Sequence, residues 1–162
     1  MIFRDYFRLG FLVLLAFVFV GAGVAHGYTH KVYPLPSSIV GKYIASTKGQ
    51  KRVVMIYASW CPHCVEAMPD IMDIERAKPG SVIAISVDED HAGFARYIER
   101  FKDVPFKIII NGSPKTELAA VLTSFGGRAW SGVPTYYLVD ENNQIVDQGT
   151  YGVDYIATYL LQ

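Results

Sequence analysis

Cysteine is scarce: the 162 residues contain only two, three positions apart. A scaffold stapled by several disulfides is therefore excluded, and any thiol chemistry must come from that one pair. An excess of one charge sign is also missing, since fifteen basic residues meet fifteen acidic ones. Binding to nucleic acid by counterion release needs a basic excess, so no nucleic-acid partner is expected. Phosphate loops are absent too, because Gly126-Gly127 has neither the spacing nor the lysine of a P-loop. There is no internal repeat and no low-complexity segment. The chain does have apolar residues in plenty. Hydrophobic residues make up 51% against 19% charged, enough to build a core over a length that allows one domain and a short appendage.

Arg4 and Arg8 precede an uncharged run from Leu9 to Ala25, 17 residues long and at the lower edge of a membrane-spanning helix. The basic flank favours a cytoplasmic amino terminus. Gly23-Val24-Ala25 offers small residues at the spacing of a signal-peptidase site. Residues 1–25 thus read as a signal anchor or a cleaved signal peptide, with the remainder outside the cytoplasm. A buried core helix would carry a polar face somewhere along such a run. Residues 26–37, with Pro34, Pro36 and Ser37, read as a tether. His26 and His30 supply polarity there, since no nearby carboxylate or cysteine completes a metal site.

Downstream, Ile39, Val40, Tyr43 and Ile44 recur at helical spacing. Val53 to Ala58 and Ser81 to Val87 are continuous apolar runs of the kind found in strands covered on both faces. Between them Val65, Met68, Met72 and Glu75 mark a helix starting near Cys61 and ending before Pro79-Gly80. Strand, helix, strand over this length is a βαβ unit with parallel strands. Three later stripes predict amphipathic helices, at Phe94–Phe101, Leu118–Phe125 and Val153–Leu160. Phe106–Ile110 reads as a strand, and Tyr136–Val139 with Gln144–Val146 as a hairpin around Asp140-Glu141-Asn142-Asn143. The expected class is α/β, a central mixed sheet with helices on both faces.

Ala58-Ser59-Trp60-Cys61-Pro62-His63-Cys64 falls where a buried strand gives way to a helix. Cysteines at i and i+3 near a helix start share one face and can bridge without strain. So small a loop restricts the unfolded chain little, about 2 kcal/mol in the loop-entropy model, which is a weak reason for a structural disulfide. The helix start supplies chemistry instead. Its free N–H groups and dipole favour a thiolate at Cys61, the species that attacks disulfides. His63 adds to this if protonated or donating, and Pro62 suits the first helical turn. Cys61 should attack, and Cys64, one turn inward, should resolve the mixed disulfide.

The Trp60-Cys61-x-x-Cys64 motif, Pro69 five positions beyond it, and Gly132-Val133-Pro134-Thr135 before a hairpin resemble the thioredoxin superfamily over about 38–162. That span is expected to be one thioredoxin-like domain. The stretch 94–110 is similar to the insertion of the membrane-anchored extracytoplasmic branch, the TlpA- and ResA-like proteins. The resemblance implies a cis Pro134 facing the Cys pair, leaving the Val133 backbone free for an extended substrate. It places Trp60 beside the disulfide as an apolar contact and Pro69 as a kink in the active-site helix. Trp130 and Gly126-Gly127 either shape the same rim or pack the surface.

The resemblance has gaps. Thioredoxins carry a buried acid six positions before the first cysteine, where this chain has Met55. Many anchored reductants carry a glutamate three positions after the second, where this chain has Ala67, with Glu66 one step off. Pro62-His63 resembles the dipeptide of periplasmic disulfide-forming oxidases. The expected function is protein thiol–disulfide exchange at the periplasmic face of a bacterial inner membrane or in the periplasm, as a reductant in disulfide or cytochrome maturation. Its partners would be protein thiols and disulfides and a membrane electron donor or acceptor, and nothing requires a cofactor. One alternative is an oxidase working through the same site. Another is a zinc or copper module on the Cys pair, although His91 lies in a different segment and zinc wants four ligands. Asp88-Glu89-Asp90 reads as a cation site or, more simply, a helix start.

Overall fold

A computed structural model describes residues 30–162, so the apolar run 9–25 and the anchor or signal reading attached to it lie outside the described residues. The elements run β1 (Val32–Leu35), α1 (Ser37–Ser46), β2 (Arg52–Tyr57), α2 (Pro62–Ala77), β3 (Val82–Ser86) and α3 (His91–Ile98). They continue through β4 (Ile108–Asn111), α4 (Lys115–Ser124), β5 (Thr135–Val139), β6 (Ile145–Gly149) and α5 (Val153–Leu161). One six-stranded sheet has the order β1-β4-β3-β2-β5-β6. The first four in that order are parallel, and β5 and β6 are antiparallel.

The central strands β2, β3, β4 and β5 are buried at every position, which is why their sequences run apolar without alternation. Helices cover both faces, with α1 packed on α4 and α2 on α5. Gly41 lets α1 approach α4 closely, because a Cβ there would stand 2.9 Å from Val121 Cγ1. Gly126 sits at φ 95°, and a Cβ on Gly127 would stand 2.8 Å from Ile145 Cδ1, so this pair packs beneath the β5–β6 hairpin rather than shaping the active-site rim.

The chain departs from the sequence reading in three places. Residues 32–35, expected within a plain tether, pair with β4 as an edge strand. Pro34 hides the strand signal, and the structure tolerates it because an edge strand can lack one N–H. The third helix stops at Ile98 instead of reaching Phe101, whose ring still packs edge-on against Tyr97 at 5.5 Å. Asp90 caps that helix by accepting the Gly93 N–H at 2.9 Å, so the last acid of Asp88-Glu89-Asp90 is a helix start. The fourth strand begins at Ile108 rather than Phe106.

Two buried charges tie the active-site helix and the hairpin to the sheet. Arg52, fully buried, donates to Ile44 O at 3.0 Å, to Thr47 Oγ1 and to Asn143 Oδ1, joining β2 to α1 and the hairpin turn. Asn143 holds the turn at φ 68°. Glu75, near the end of α2, accepts the N–H groups of Gly80 at 2.7 Å and Val82 at 2.8 Å. This carboxylate therefore fixes where α2 meets β3. Replacing it in Glu75→Ala orphans two backbone donors and should cost about 3 kcal/mol. Urea unfolding measures this, and a shift near zero would show that the two N–H groups find water instead.

Candidate active site

The active site begins at the end of β2. After Tyr57 the chain turns through Ala58, whose carbonyl accepts the Cys61 N–H at 3.2 Å, and α2 starts at Pro62. Cys61 is the N-cap of that helix, and its side chain does the capping. The Cys64 N–H points at Cys61 Sγ at 3.3 Å, and the Val65 N–H reaches Cys61 O at 3.0 Å. An N–H aimed at the sulfur from the positive end of a helix supports a negative sulfur. Pro62 occupies the first turn, where a missing N–H removes no hydrogen bond.

Across from the helix, Cys61 Sγ–H donates to Val133 O at 3.3 Å, and the Val133–Pro134 bond is cis. The loop 131–134 thus stands directly against the Cys61 sulfur. Cys61 keeps 5% exposure and Cys64 none, which separates an outer from an inner sulfur. Burial pushes the Cys64 thiol up to about 12. The hydrogen bond with Cys61 and the fields of Cys61 and Asp88 add to the rise, while a backbone hydrogen bond at Ala58 opposes it.

The surroundings sort the other expected residues. Trp60, 65% exposed, stands on the rim of a groove of about 490 Å³ that also takes in Val87, Lys115, Trp130, Gly132 and Val133. Trp130 therefore belongs to the rim as well as to the packing behind it. A second groove, about 470 Å³, lies on the other side of Pro134 and includes His63, Glu66, Asp70, Tyr136 and Tyr151. His63 is exposed, and its Nδ1 pairs with Glu66 Oε2 at 3.5 Å on the solvent side. Pro69 lies inside α2, which continues to Ala77 without a break. Met55 is fully buried in the core.

Sequence reading took Asp88 only as part of an acidic run, a cation site or a helix start, and gave it no place at this site. Asp88, just past β3, is buried and holds the loop before the cysteines. Its Oδ2 accepts the Ser59 N–H at 2.9 Å and the Ser86 hydroxyl at 2.6 Å, and its Oδ1 accepts the Ser59 hydroxyl at 2.6 Å. The available signal was that Asp88 directly follows a fully buried strand, where an acid needs partners. Among the described residues, no three His, Cys, Asp or Glu side chains converge on a point that could hold a metal, so the pair lacks the further ligands of a zinc module.

The fold and the paired sulfurs define a thiol–disulfide oxidoreductase. A family model for redoxins matches residues 42–155, and the chain belongs to the redoxin family. No curated protein matches it. Among solved structures it is similar to a thiol:disulfide interchange protein of the thioredoxin family from Chlorobium tepidum TLS. That match has 22% identity and a TM-score of 0.58, covering 73% of this chain and 84% of that one. It is also similar to the exposed lipoprotein thioredoxin of Streptococcus pneumoniae, at 21% identity and a TM-score of 0.55, covering 73% and 88%. A secreted disulfide oxidoreductase of Mycobacterium tuberculosis matches at 14% identity and a TM-score of 0.55, covering 72% and 84%. At these identities the likeness concerns the fold.

The two sulfurs should separate cleanly in a labelling experiment. At pH 8 an alkylating reagent should modify Cys61 and leave Cys64 intact, because the inner thiol is fully enclosed and raised to about 12. Mass spectrometry of the labelled, reduced protein checks this, and equal modification of both would contradict the outer and inner assignment.

Proposed function

We propose that this redoxin-family enzyme works outside the cytoplasm as a reductant of protein disulfides, its dithiol restored by a membrane electron donor. One observation carries the reading: Cys61 Sγ sits at the start of α2, 3.3 Å from Val133 O, beside an open groove rimmed by Trp60 and Trp130. An extended substrate segment laid along Gly132-Val133 brings its disulfide onto that sulfur.

The exchange proceeds in two displacements. The Cys61 thiolate attacks one sulfur of the substrate disulfide, forming a Cys61–substrate bond and expelling the other substrate sulfur as thiolate. Cys64 then loses its proton and attacks Cys61 Sγ, closing the Cys61–Cys64 disulfide and expelling the second substrate thiolate. The substrate gains two electrons and the enzyme pair loses two.

Topology supports a site turned away from the attachment point. β1 runs parallel to β4, β3 and β2, and Cys61 follows the far end of β2. A segment entering before His30 therefore joins at the opposite end of the sheet, leaving the Cys pair free to meet soluble partners and the exposed domain of a donor. A second reading, a disulfide-forming oxidase, is favoured by Pro62-His63 between the cysteines.

The Cys61→Ser variant should lose all dithiol-dependent turnover, while Cys64→Ser should accumulate covalent substrate adducts resolved by reducing gels. Undiminished turnover in Cys61→Ser would end the exchange reading. Equilibration of the pair with glutathione settles direction. A couple that stays reduced in a glutathione buffer poised near −200 mV would favour the oxidase, and one that stays oxidised there the reductant.

A further inference from the structure

Charge is divided between the two ends of the sheet. Every connection that enters a parallel strand carries lysine, and none that leaves one does. Lys31 directly precedes β1, Lys48 and Lys51 lie between α1 and β2, and Lys78 lies between α2 and β3. Lys102 and Lys107 lie between α3 and β4. At the opposite end, the chain leaving β3 carries Asp88, Glu89 and Asp90, and the other exits from parallel strands carry no charged residue. The hairpin turn at 140–144 also stands at the lysine-bearing end, since the Gly49 N–H donates to Glu141 O at 2.9 Å. Outside the helices and strands at that end, the six lysines and Arg100 outnumber Glu99, Asp103, Asp140 and Glu141. The balance there is basic.

Several of these lysines lie over aromatic rings. Lys107 Nζ stands 4.4 Å from the centre of the Tyr43 ring and 5.6 Å from that of Tyr33. Lys31 Nζ stands 5.1 Å from the Tyr33 ring, and Lys51 Nζ 5.1 Å from the Tyr159 ring. None of the ion pairs among the described residues involves the six. A lysine over a ring keeps its apolar stem covered and its ammonium at the surface. Lys31, Tyr33, Phe106 and Lys107 line one groove of about 350 Å³. Leu161 is 79% exposed, and Leu160 O accepts Lys78 Nζ, which places that leucine at the same end. Lysines beside half-buried tyrosines and an exposed leucine suit a surface that meets lipid headgroups.

The way the chain arrives selects the ligand. Five peptide links join Ala25, the last residue of the apolar run, to His30. Fully extended they reach at most about 18 Å, and a headgroup layer takes up about 5–8 Å of that. The remaining gap, about 10–13 Å, is near the screening length of about 10 Å at 0.1 M salt. His30 is itself fastened to the lysine-bearing end. Its Nε2 meets Phe101 O at 2.6 Å, and its backbone N–H donates to Glu99 Oε1 at 3.1 Å.

We propose that the strand-start end of the sheet docks on an anionic phospholipid bilayer, with Lys31, Lys102 and Lys107 against the lipid phosphates. This rests on the retained-anchor reading of residues 9–25 and goes beyond attachment, because the folded domain itself contacts lipid. The groove between Lys31 and Lys107 seats a phosphate. One lysine at an anionic surface strengthens binding only about fivefold, so several act together and the anchor supplies the local concentration. Cys61, which follows the far end of β2, is then turned to the aqueous side.

The test places the full-length chain, apolar run included, in nanodiscs of phosphatidylcholine alone or with about one-third phosphatidylglycerol. A brief pulse of an amine-acetylating reagent, read by mass spectrometry, reports on each lysine. In the anionic discs Lys31, Lys102 and Lys107 should be acetylated about fivefold more slowly than in the neutral discs. Lys115, beside the active-site groove, should be unchanged. Salt at about 0.5 M should remove the difference. Lys31→Gln combined with Lys107→Gln should remove the slowing at Lys102. Chains that co-migrate with both discs and show equal rates overturn lipid docking alone, and leave this face to an acidic protein partner. Slowing that Lys115 shares equally overturns it too, because the reagent rather than the face has then responded to the lipid. A chain that fails to co-migrate with neutral discs overturns the anchor reading, and the docking with it.

Discussion

The active site depends on one sulfur standing where a helix needs a cap. A helix start carries N–H groups without partners, and here the Cys61 side chain takes one of them at 3.3 Å. That contact fixes the side chain, aims the helix dipole at it and leaves it facing Val133. Pro62 then fits the first turn, and Cys64 comes round one turn inward beneath the same surface. The position is set by burial elsewhere. β2 is held on both sides, by β3 and β5, so its end cannot drift, and α2 is fastened at its far end by Glu75. The reacting sulfur sits between two anchored elements and needs no strong interactions of its own.

Two buried carboxylates divide the work of holding this arrangement. Glu75 accepts two backbone N–H groups and behaves as a splice between α2 and β3. Asp88 accepts one backbone N–H and two serine hydroxyls, and it holds the loop that carries Trp60 and Cys61. A buried carboxylate is costly unless its lone pairs are met, and Glu75 meets that cost with N–H groups alone. Asp88 relies partly on hydroxyls, which can turn.

Much of this was legible in the chain itself. The buried strands announced themselves by unbroken apolar runs, and the placement of Cys61 at a strand-to-helix junction followed from Val53–Ala58 and the stripe through Val65, Met68 and Met72. β1 was illegible because Pro34 contradicts strand propensity locally, while pairing with β4 rescues it from a distance. The end of α3 was blurred because Phe101 keeps the apolar spacing after the backbone has left the helix. At the site, residue type and spacing pointed to the sulfurs and the family resemblance to the loop at 132–135, whereas Asp88, Tyr57 and Tyr97 were not read as parts of it. They come together through the parallel pairing of β2 with β3 and through Phe94 on α3, which stands between the two tyrosine rings, and neither leaves a local pattern.

The burial of Cys64 bears on how such an enzyme can turn over. A thiol raised to about 12 is almost wholly protonated near neutrality. On the reading proposed above, solvation imposes the order of events: Cys61, which keeps 5% exposure, reacts before the enclosed Cys64. The same burial would stall the second displacement unless the proton has somewhere to go. The polar side chains that share an electrostatic neighbourhood with Cys64 are Asp88 after β3, Tyr97 on α3, Tyr57 at the end of β2 and Tyr136 on β5. Of these, Tyr97 and Asp88 line a polar cavity beside the active-site loop. A fold that hides one sulfur thus still surrounds it with some polarity, supplied among the described residues by three tyrosines and one carboxylate.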